Sequence, residues 1–186
     1  PMEDAILPTK MDNLKILPAT IQLAGAEVEL VSFMSRETKL KRALETVKHQ
    51  FDYVIIDCPP SLGLLTINAL TASDGVIIPM QCEYYSLEGL SQLMLSVKQI
   101  KKRFNPKLQL TGILITMYNG RLNLSTQVMD ELKKYYAGQL FHTAISRNVK
   151  LSEAPSFGQP VMYYDRASKG TLAYDALADE LIQKNT

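Results

Sequence analysis

Residues 75–117 read GVIIPMQCEYYSLEGLSQLMLSVKQIKKRFNPKLQLTGILITM, and this stretch decides the fold. The short apolar run at Gly75–Pro79 is typical of a strand that is buried on both faces, and the run at Leu110–Met117 is a second one. Between them Ser86 can cap a long helix that ends near Arg103, with Glu88 in its first turn. A strand, a long helix and another strand in this order predict a βαβ crossover and therefore a parallel sheet.

The same alternation continues on both sides of this stretch. Helical spacing or composition predicts helices over about 36–49, 62–72, 124–136 and 168–183, and apolar runs predict strands over 53–56, 140–145 and 161–164. Strands that alternate with helices indicate a mostly parallel sheet with helices on both faces. The fold class is therefore α/β, and 186 residues suit a single domain, residues 1–186.

Composition excludes several classes of protein. The two cysteines are too few for a disulfide scaffold, and the two histidines are far apart, which argues against a zinc site. No apolar run approaches the roughly 20 residues that a membrane-spanning helix needs. None of the nine glycines is followed by lysine, so the phosphate-binding pattern GxxxxGK[ST] does not occur in this chain.

The charge distribution is more informative than the net charge of +1. Residues 98–150 hold ten lysines and arginines but only two acidic side chains, Asp130 and Glu131. This asymmetry is consistent with a basic face for a polyanion, and also with ordinary solvated helix faces.

One carboxylate lies where a nucleotide site would need it. Asp57 directly follows the predicted strand at 53–56, and an aspartate in that position holds Mg²⁺, usually through water, in P-loop nucleotide hydrolases. The ordinary alternative is an aspartate that caps the following turn.

Longer segments resemble the ParA/Soj family of chromosome- and plasmid-partition ATPases. The matching segments are LPATIQLAGAEVELV (17–31), DYVIIDCPPSLGLLTINAL (52–70), IPMQCEYYSLEGLSQL (78–93), ITMYNGRLNLSTQV (115–128) and SRNVKLSEAPSFGQPVMYYD (146–165). The resemblance covers nearly the whole chain. It implies the P-loop NTPase fold, ATP and Mg²⁺ as ligands, and a cytoplasmic, nucleoid-associated protein.

The resemblance also implies roles for individual residues. Asp57 matches the Walker B aspartate that serves Mg²⁺, and Met117 matches the wall of the adenine pocket. Arg147 and Asn148 match the IPRN element that closes over the base, although Ser146 replaces its proline. The family's DNA-binding surface is matched by Arg121, by Lys150 and more weakly by Lys169.

The family's early motif KGGxGKT is missing from the chain, and we expect it to lie before Pro1. Since its lysines and amides neutralise the phosphates, we expect that these 186 residues alone neither hydrolyse ATP nor bind it measurably. The resemblance implies a homodimer, nonspecific duplex DNA and a ParB-type centromere-binding protein as partners. Unpaired strand edges would favour pairing with a second copy.

Two alternatives stay open at this stage. A naturally shortened, non-catalytic relative would bind DNA or dimerise without hydrolysis. A MinD-like regulator would bind membrane through its last helix, but that helix is predicted to carry Asp175, Asp179 and Glu180 outward, with Leu172, Ala176, Leu177 and Leu181 inward. An acidic outer face disfavours a membrane role, because membrane-surface helices are rich in Lys and Arg.

Overall fold

The structure is a computed structural model that describes residues 1–59 and 61–185. The chain divides into two compact units, which are described separately. The first comprises residues 1–75 and 95–108, and the second residues 76–94 and 109–186. The single-domain organisation expected from the sequence stays a prediction.

The strands and α-helices follow one another in this order: β1 (Leu7–Pro8), β2 (Lys15–Ile16), α1 (Leu23–Leu30), α2 (Lys39–Leu44), α3 (Leu64–Ala72), β3 (Gly75–Gln81), α4 (Ser86–Arg103), β4 (Gln109–Tyr118), α5 (Asn123–Tyr136), β5 (Leu140–Ser146), α6 (Val149–Glu153), α7 (Val161–Tyr164) and α8 (Lys169–Asn185). Short 3₁₀ turns lie at Glu3–Ala5, Arg36–Thr38, Lys48–Gln50, Ala137–Gln139 and Ala154–Phe157. Among the described residues, no helix is both long and apolar enough to cross a membrane.

The second unit is built on a three-stranded sheet in the order β3-β4-β5, in which β4 and β5 run parallel. On one face Ile113 and Ile115 pack with Leu90 of α4 and Leu132 of α5. On the other face Leu114, Phe141 and Ile145 form a core cluster against Leu177 and Leu181 of α8. The α/β class, the parallel sheet and the helices on both of its faces are thereby confirmed.

Two register shifts interrupt the pairing of β4 with β5. Between the pairs Ile113–Leu140 and Ile115–Ala144, β5 has three residues where β4 has one. Two of these three β5 residues, His142 and Thr143, donate their amides to the Glu180 carboxylate of α8, at 2.8 and 3.0 Å. A side chain thus satisfies backbone groups that the bulge takes out of the regular ladder.

The first unit is organised around α3. The Asn68 side chain donates to the Arg36 carbonyl at 2.8 Å and accepts the Leu40 amide at 3.1 Å, which ties α3 to the segment that contains α2. The Glu27 carboxylate of α1 accepts the Leu65 amide in the first turn of α3. A Cβ at Gly63 would overlap that carboxylate, so glycine leaves room for this contact.

Residues 53–56 do not form the buried strand that the sequence predicts. They have no regular secondary structure, and Ile55 is 86% exposed. The described strands of the first unit are the two-residue β1 and β2, which pair only with each other. A strand requires a ladder partner for its backbone groups, and the run at 53–56 has none within its unit.

The run Val161–Tyr164 is a helical turn and not the predicted strand. Pro160 precedes it with φ −61°, and the Pro160 carbonyl accepts the amides of Tyr163 and Tyr164 at 3.0 and 3.1 Å. Pro160 is therefore the N-cap, in extended backbone, and its carbonyl accepts the first hydrogen bonds of a turn that forms despite the strand propensity of the run.

The other helices agree with the sequence to different degrees. The helix predicted over 36–49 is shortened to α2, with a 3₁₀ turn on each side. In α8 the inward residues are Ala173, Leu177 and Leu181, while Leu172 and Ala176 are exposed. The prediction that Glu180 points outward is wrong, because its carboxylate accepts hydrogen bonds from two amides of β5.

Candidate functional site

A cleft of about 460 Å³ lies where the three strands of the second unit end. Gln81 ends β3 and residues 82–85 follow it, Met117 and Asn119 lie at the end of β4, and Arg147 follows β5. Leu122, Leu124 and Ser125 complete the lining. The carboxyl ends of the strands are the usual ligand-binding edge of an open α/β sheet.

Met117 has the most unusual backbone in the cleft. Between the pairs Ile115–Ala144 and Tyr118–Ser146, β4 has one residue more than β5, and Met117 lies in this bulge with φ +50°. Left-handed backbone is unfavourable for a residue with a Cβ, by about 1–2 kcal/mol. The side chain lines the cleft and remains 54% exposed, so the strained position presents a thioether at the ligand-binding edge.

Arg147 and Asn148 occupy the loop between β5 and α6. The Arg147 amide donates to the Tyr118 carbonyl at 3.5 Å, which joins this loop to the end of β4. Arg147 lines the cleft together with Met117. The Asn148 side-chain oxygen accepts the Lys150 amide at 2.8 Å and thereby caps α6.

Arg121 and Lys150 follow neighbouring parallel strands and therefore lie towards the same edge of the sheet. Arg121 is exposed, and its amide donates to the Asn119 side-chain oxygen at 3.2 Å. The Lys150 ammonium lies 2.9 Å from a Glu153 carboxylate oxygen and 5.5 Å from the centroid of the Tyr164 ring.

Lys150 belongs to a small polar cluster. The hydrogen bond and charge of Glu153 raise the pKa of Lys150, and the hydrogen bonds from Lys150 and Tyr164 lower the pKa of Glu153. Lys150 is therefore cationic at neutral pH and already paired. Lys169 is exposed at the first residue of α8.

Asp57 lies in the first unit, exposed, at the end of the irregular run 53–56. The described residues contain no group of three or more His, Cys, Asp or Glu side chains that could hold a metal ion. A role for Asp57 with Mg²⁺ would therefore be that of a single carboxylate, with the other ligands supplied by water and nucleotide.

Comparison with known proteins identifies the family. The AAA domain family matches residues 1–110. The sporulation initiation inhibitor protein Soj of Bacillus subtilis is 58% identical over 178 residues, which is 96% of this chain and 70% of that protein. The chain belongs to the ParA/Soj family of chromosome-partitioning ATPases.

One further chromosome-partitioning protein and one solved structure are also similar to this chain. The chromosome partitioning protein ParA of Myxococcus xanthus is 50% identical over the whole chain, which spans 66% of that protein. Cobyrinic acid a,c-diamide synthase of Mycobacterium smegmatis, solved with a bound ATP analogue and magnesium, is 37% identical with a TM-score of 0.80 over 98% of this chain and 67% of that one. The ParA/Soj chain described here thus spans about two thirds of these proteins.

The chemistry of the cleft in this ParA/Soj chain suits one end of a nucleotide. Met117, Leu122 and Leu124 give an apolar wall, and Asn119 supplies donor and acceptor groups for a base edge. Arg147 is the one cationic side chain among the lining residues. This donor set fits a base and its sugar, and it lacks the lysines and amide cradle that a triphosphate needs.

Sequence reasoning did not single out several of the lining residues, among them Tyr84, Tyr85 and Asn119. The two tyrosine rings meet edge to face with centroids 5.0 Å apart, and both are about three-quarters exposed. Their position between the end of β3 and the Ser86 helix start was a usable signal, since loops after parallel strands carry ligand contacts.

Proposed function

We propose that this chain is the larger part of a partition ATPase that binds ATP and Mg²⁺, dimerises with nucleotide and binds duplex DNA without sequence preference. A ParB-type centromere-binding protein stimulates hydrolysis, and the protein works in the cytoplasm on the nucleoid. The observation that supports this proposal best is the cleft at the strand ends, which has both Met117 and Arg147 in its lining.

Within the proposal each site residue has its own role. Met117 and Arg147 hold the base, with Asn148 fixing the loop that follows Arg147. Asp57 would hold Mg²⁺ through water, and the ion would supply neutralisation of phosphate charge. Contacts to the phosphates require the family's KGGxGKT motif, so these 186 residues alone are inactive as an ATPase.

The catalytic part of the proposal is tested in two steps. The purified chain is expected to release no phosphate from ATP above the blank, even with DNA present. Fusion of a family member's KGGxGKT strand and helix ahead of Pro1 is expected to give turnover that Asp57→Ala abolishes. Turnover by the unfused chain that Asp57→Ala removes would contradict the proposed inactivity. An inactive fusion that is folded would favour a non-catalytic relative.

The DNA-binding part rests on the cations that follow β4 and β5, of which Arg121 is exposed and Lys150 is half-buried. We propose Arg121 and Lys150 as phosphate contacts, with Lys169 as a further one. Lysine and arginine contacts to phosphates give affinity that falls steeply with salt, by a slope of about −0.9 per contact. Because Lys150 is paired with Glu153, a phosphate would have to replace that carboxylate.

Anisotropy of a labelled random duplex, measured across a salt series, tests these contacts. Arg121→Ala is expected to weaken binding and to reduce the salt slope by about one. Lys133→Ala, an exposed lysine of α5 outside the proposed set, is the matched control. If Arg121→Ala and Lys150→Ala both bind like the control, the DNA surface is assigned wrongly.

A further inference from the structure

Two asparagines make the same contact at neighbouring strand ends. Asn119, just after β4, accepts the amide of Arg121 on its side-chain oxygen at 3.2 Å. Asn148, just after β5, accepts the amide of Lys150 at 2.8 Å. In each case the donor lies two residues later, which is the Asx-turn geometry, and in each case it is a proposed DNA contact.

Helix capping does not explain the pair. Asn148 is the N-cap of α6, and a cap at that position is ordinary. However, α5 begins at Asn123 and its N-cap is Leu122, so Asn119 caps no helix. The two contacts share the kind of donor. Each asparagine accepts the backbone amide of a proposed DNA-binding cation, Arg121 in one loop and Lys150 in the other.

The two turns belong to one rim of the cleft. Asn119 itself lines the cleft, and Arg147, which also lines it, directly precedes Asn148. The Arg147 amide donates to the Tyr118 carbonyl at 3.5 Å and so connects the loop after β5 to the residue before Asn119. The backbones that carry Arg121 and Lys150 are therefore fixed by residues of the cleft rim.

We infer that Asn119 and Asn148 are positioning residues for DNA binding: each fixes the backbone from which a phosphate-binding cation extends. The inference depends on the proposed function, because it takes Arg121 and Lys150 as DNA contacts. An Asx turn restricts the intervening residue and the direction of the Cα–Cβ bond that follows it. Loss of either asparagine leaves every charge in place and removes the acceptor that fixes the backbone of the cation.

Variants that lose a cation and variants that lose an asparagine are therefore expected to differ in the salt dependence of DNA binding. The full 186-residue chain and its variants are titrated with a labelled random duplex at low salt and across a salt series. Asn119→Ala and Asn148→Ala are each expected to weaken binding about fivefold with an unchanged salt slope, since the number of cations is unchanged. Arg121→Ala and Lys150→Ala should weaken binding and also lower the slope.

Two further variants control the result. Asn123→Ala changes an exposed asparagine at the first residue of α5 that has no part in either turn, and it should bind like the unaltered chain. Asn119→Ser retains a hydroxyl acceptor and should recover part of the affinity. Thermal unfolding followed by circular dichroism shows whether Asn148→Ala keeps its fold. If it does not, the positioning role is judged from the Asn119 variants alone.

The outcomes separate the inference from the function on which it depends. If Arg121→Ala and Lys150→Ala weaken binding but the two Asn→Ala variants behave like Asn123→Ala, the positioning role is wrong and the DNA surface stands. If the cation variants are neutral, or if the unaltered chain binds no duplex at low salt, both are overturned. A lowered slope in Asn119→Ala would also contradict the inference.

Discussion

The tripeptide Val-Ile-Ile occurs twice in this chain, and the two copies have opposite structures. Residues 76–78 lie in β3, where Ile78 is 5% exposed in the main core cluster. Residues 54–56 have no regular secondary structure, and Ile55 is 86% exposed. Residues with the same strand propensity therefore give a core strand in the second unit and an open segment in the first.

The difference shows what an apolar run encodes. Such a run indicates that the segment forms a stable strand when it pairs with a neighbouring strand and packs against apolar side chains. Both partners come from other parts of the chain. The 76–78 copy has β4 beside it and the cluster that contains Leu90, Ile113 and Ile115 against it. The 54–56 copy has no strand partner among the described residues of its unit. Strand propensity is largely a measure of fit to such surroundings.

The largest predicted contrast is between Ile78→Asp and Ile55→Asp. A carboxylate at position 78 would be buried without a partner, at a cost of several kcal/mol, so we expect the second unit to lose its cooperative unfolding. At position 55 the same change should alter the free energy of unfolding by less than about 0.5 kcal/mol. Urea unfolding followed by circular dichroism measures both. Equal losses would show that both copies are core.

Amide hydrogen exchange should show the next largest contrast. The amides of 76–78 that face β4 are expected to exchange at least about a hundredfold more slowly than those of 54–56, because exchange from a ladder requires local opening. Residue-resolved mass spectrometry or NMR gives the rates. Protection of 54–56 equal to that of 76–78 would mean that this run has a partner in solution.

Variants of Glu180 test whether a side-chain carboxylate can replace a neighbouring strand as the hydrogen-bond acceptor for strand amides. Its carboxylate is 14% exposed and accepts the His142 and Thr143 amides of the bulged part of β5. Since hydrogen bonds to charged groups contribute about 1.5–3 kcal/mol, we expect Glu180→Ala to lower the free energy of unfolding by about 2 kcal/mol. Exposed Asp179→Ala in the same helix is the control. An unchanged stability would mean that the bulge needs no acceptor.

The Glu180 contact also predicts a pH dependence. Burial alone would raise the pKa of Glu180, but the amide hydrogen bonds and nearby Lys184 outweigh it, so the pKa is lowered. A lowered pKa in the folded protein gives stability that is present above the unfolded value of about 4.3 and is lost as the pH falls through the folded pKa. The stability of Glu180→Gln should therefore fall less than that of the unaltered protein across this acid range.

The smallest expected effect is that of Ile55→Lys. The exposed apolar run can pair with another chain, and a lysine on such a segment opposes this association. We expect less self-association in sedimentation velocity, with the free energy of unfolding changed by less than about 0.5 kcal/mol. Val28→Lys, at a position of α1 that is 77% exposed, is the control for the added charge. If only net charge matters, both variants will behave alike.

Local pattern predicted much of the second unit. The strands at 75, 110 and 140 and the helices that begin at Ser86 and near residue 124 all form within a few residues of their predicted bounds. Each of these segments combines an apolar pattern with tertiary partners that suit it. The failures at 53–56 and 161–164 have different causes, a missing strand partner in one and a helix-starting Pro160 in the other.

The sequence suggested two of the residues that line the cleft but not its geometry, and their roles stay predictions. The family resemblance selected Met117 and Arg147, and both line the cleft. Nothing in a methionine signals left-handed backbone, since glycine and asparagine are the usual residues there, and a bulge depends on the register of two strands. The pairing of Lys150 with Glu153 could have been read from their i, i+3 spacing, whereas the Tyr164 contact required the tertiary fold.

At position 117 the left-handed backbone favours glycine, whereas the wall of the cleft is formed by a methionine side chain. Glycine at 117 would relieve the steric strain of φ +50° and leave the bulge undisturbed, so selection for stability alone would favour it. The same change would remove the thioether from the cleft wall. Under the proposed function, Met117 keeps a strained backbone in the protein and places a side chain in the wall of the cleft.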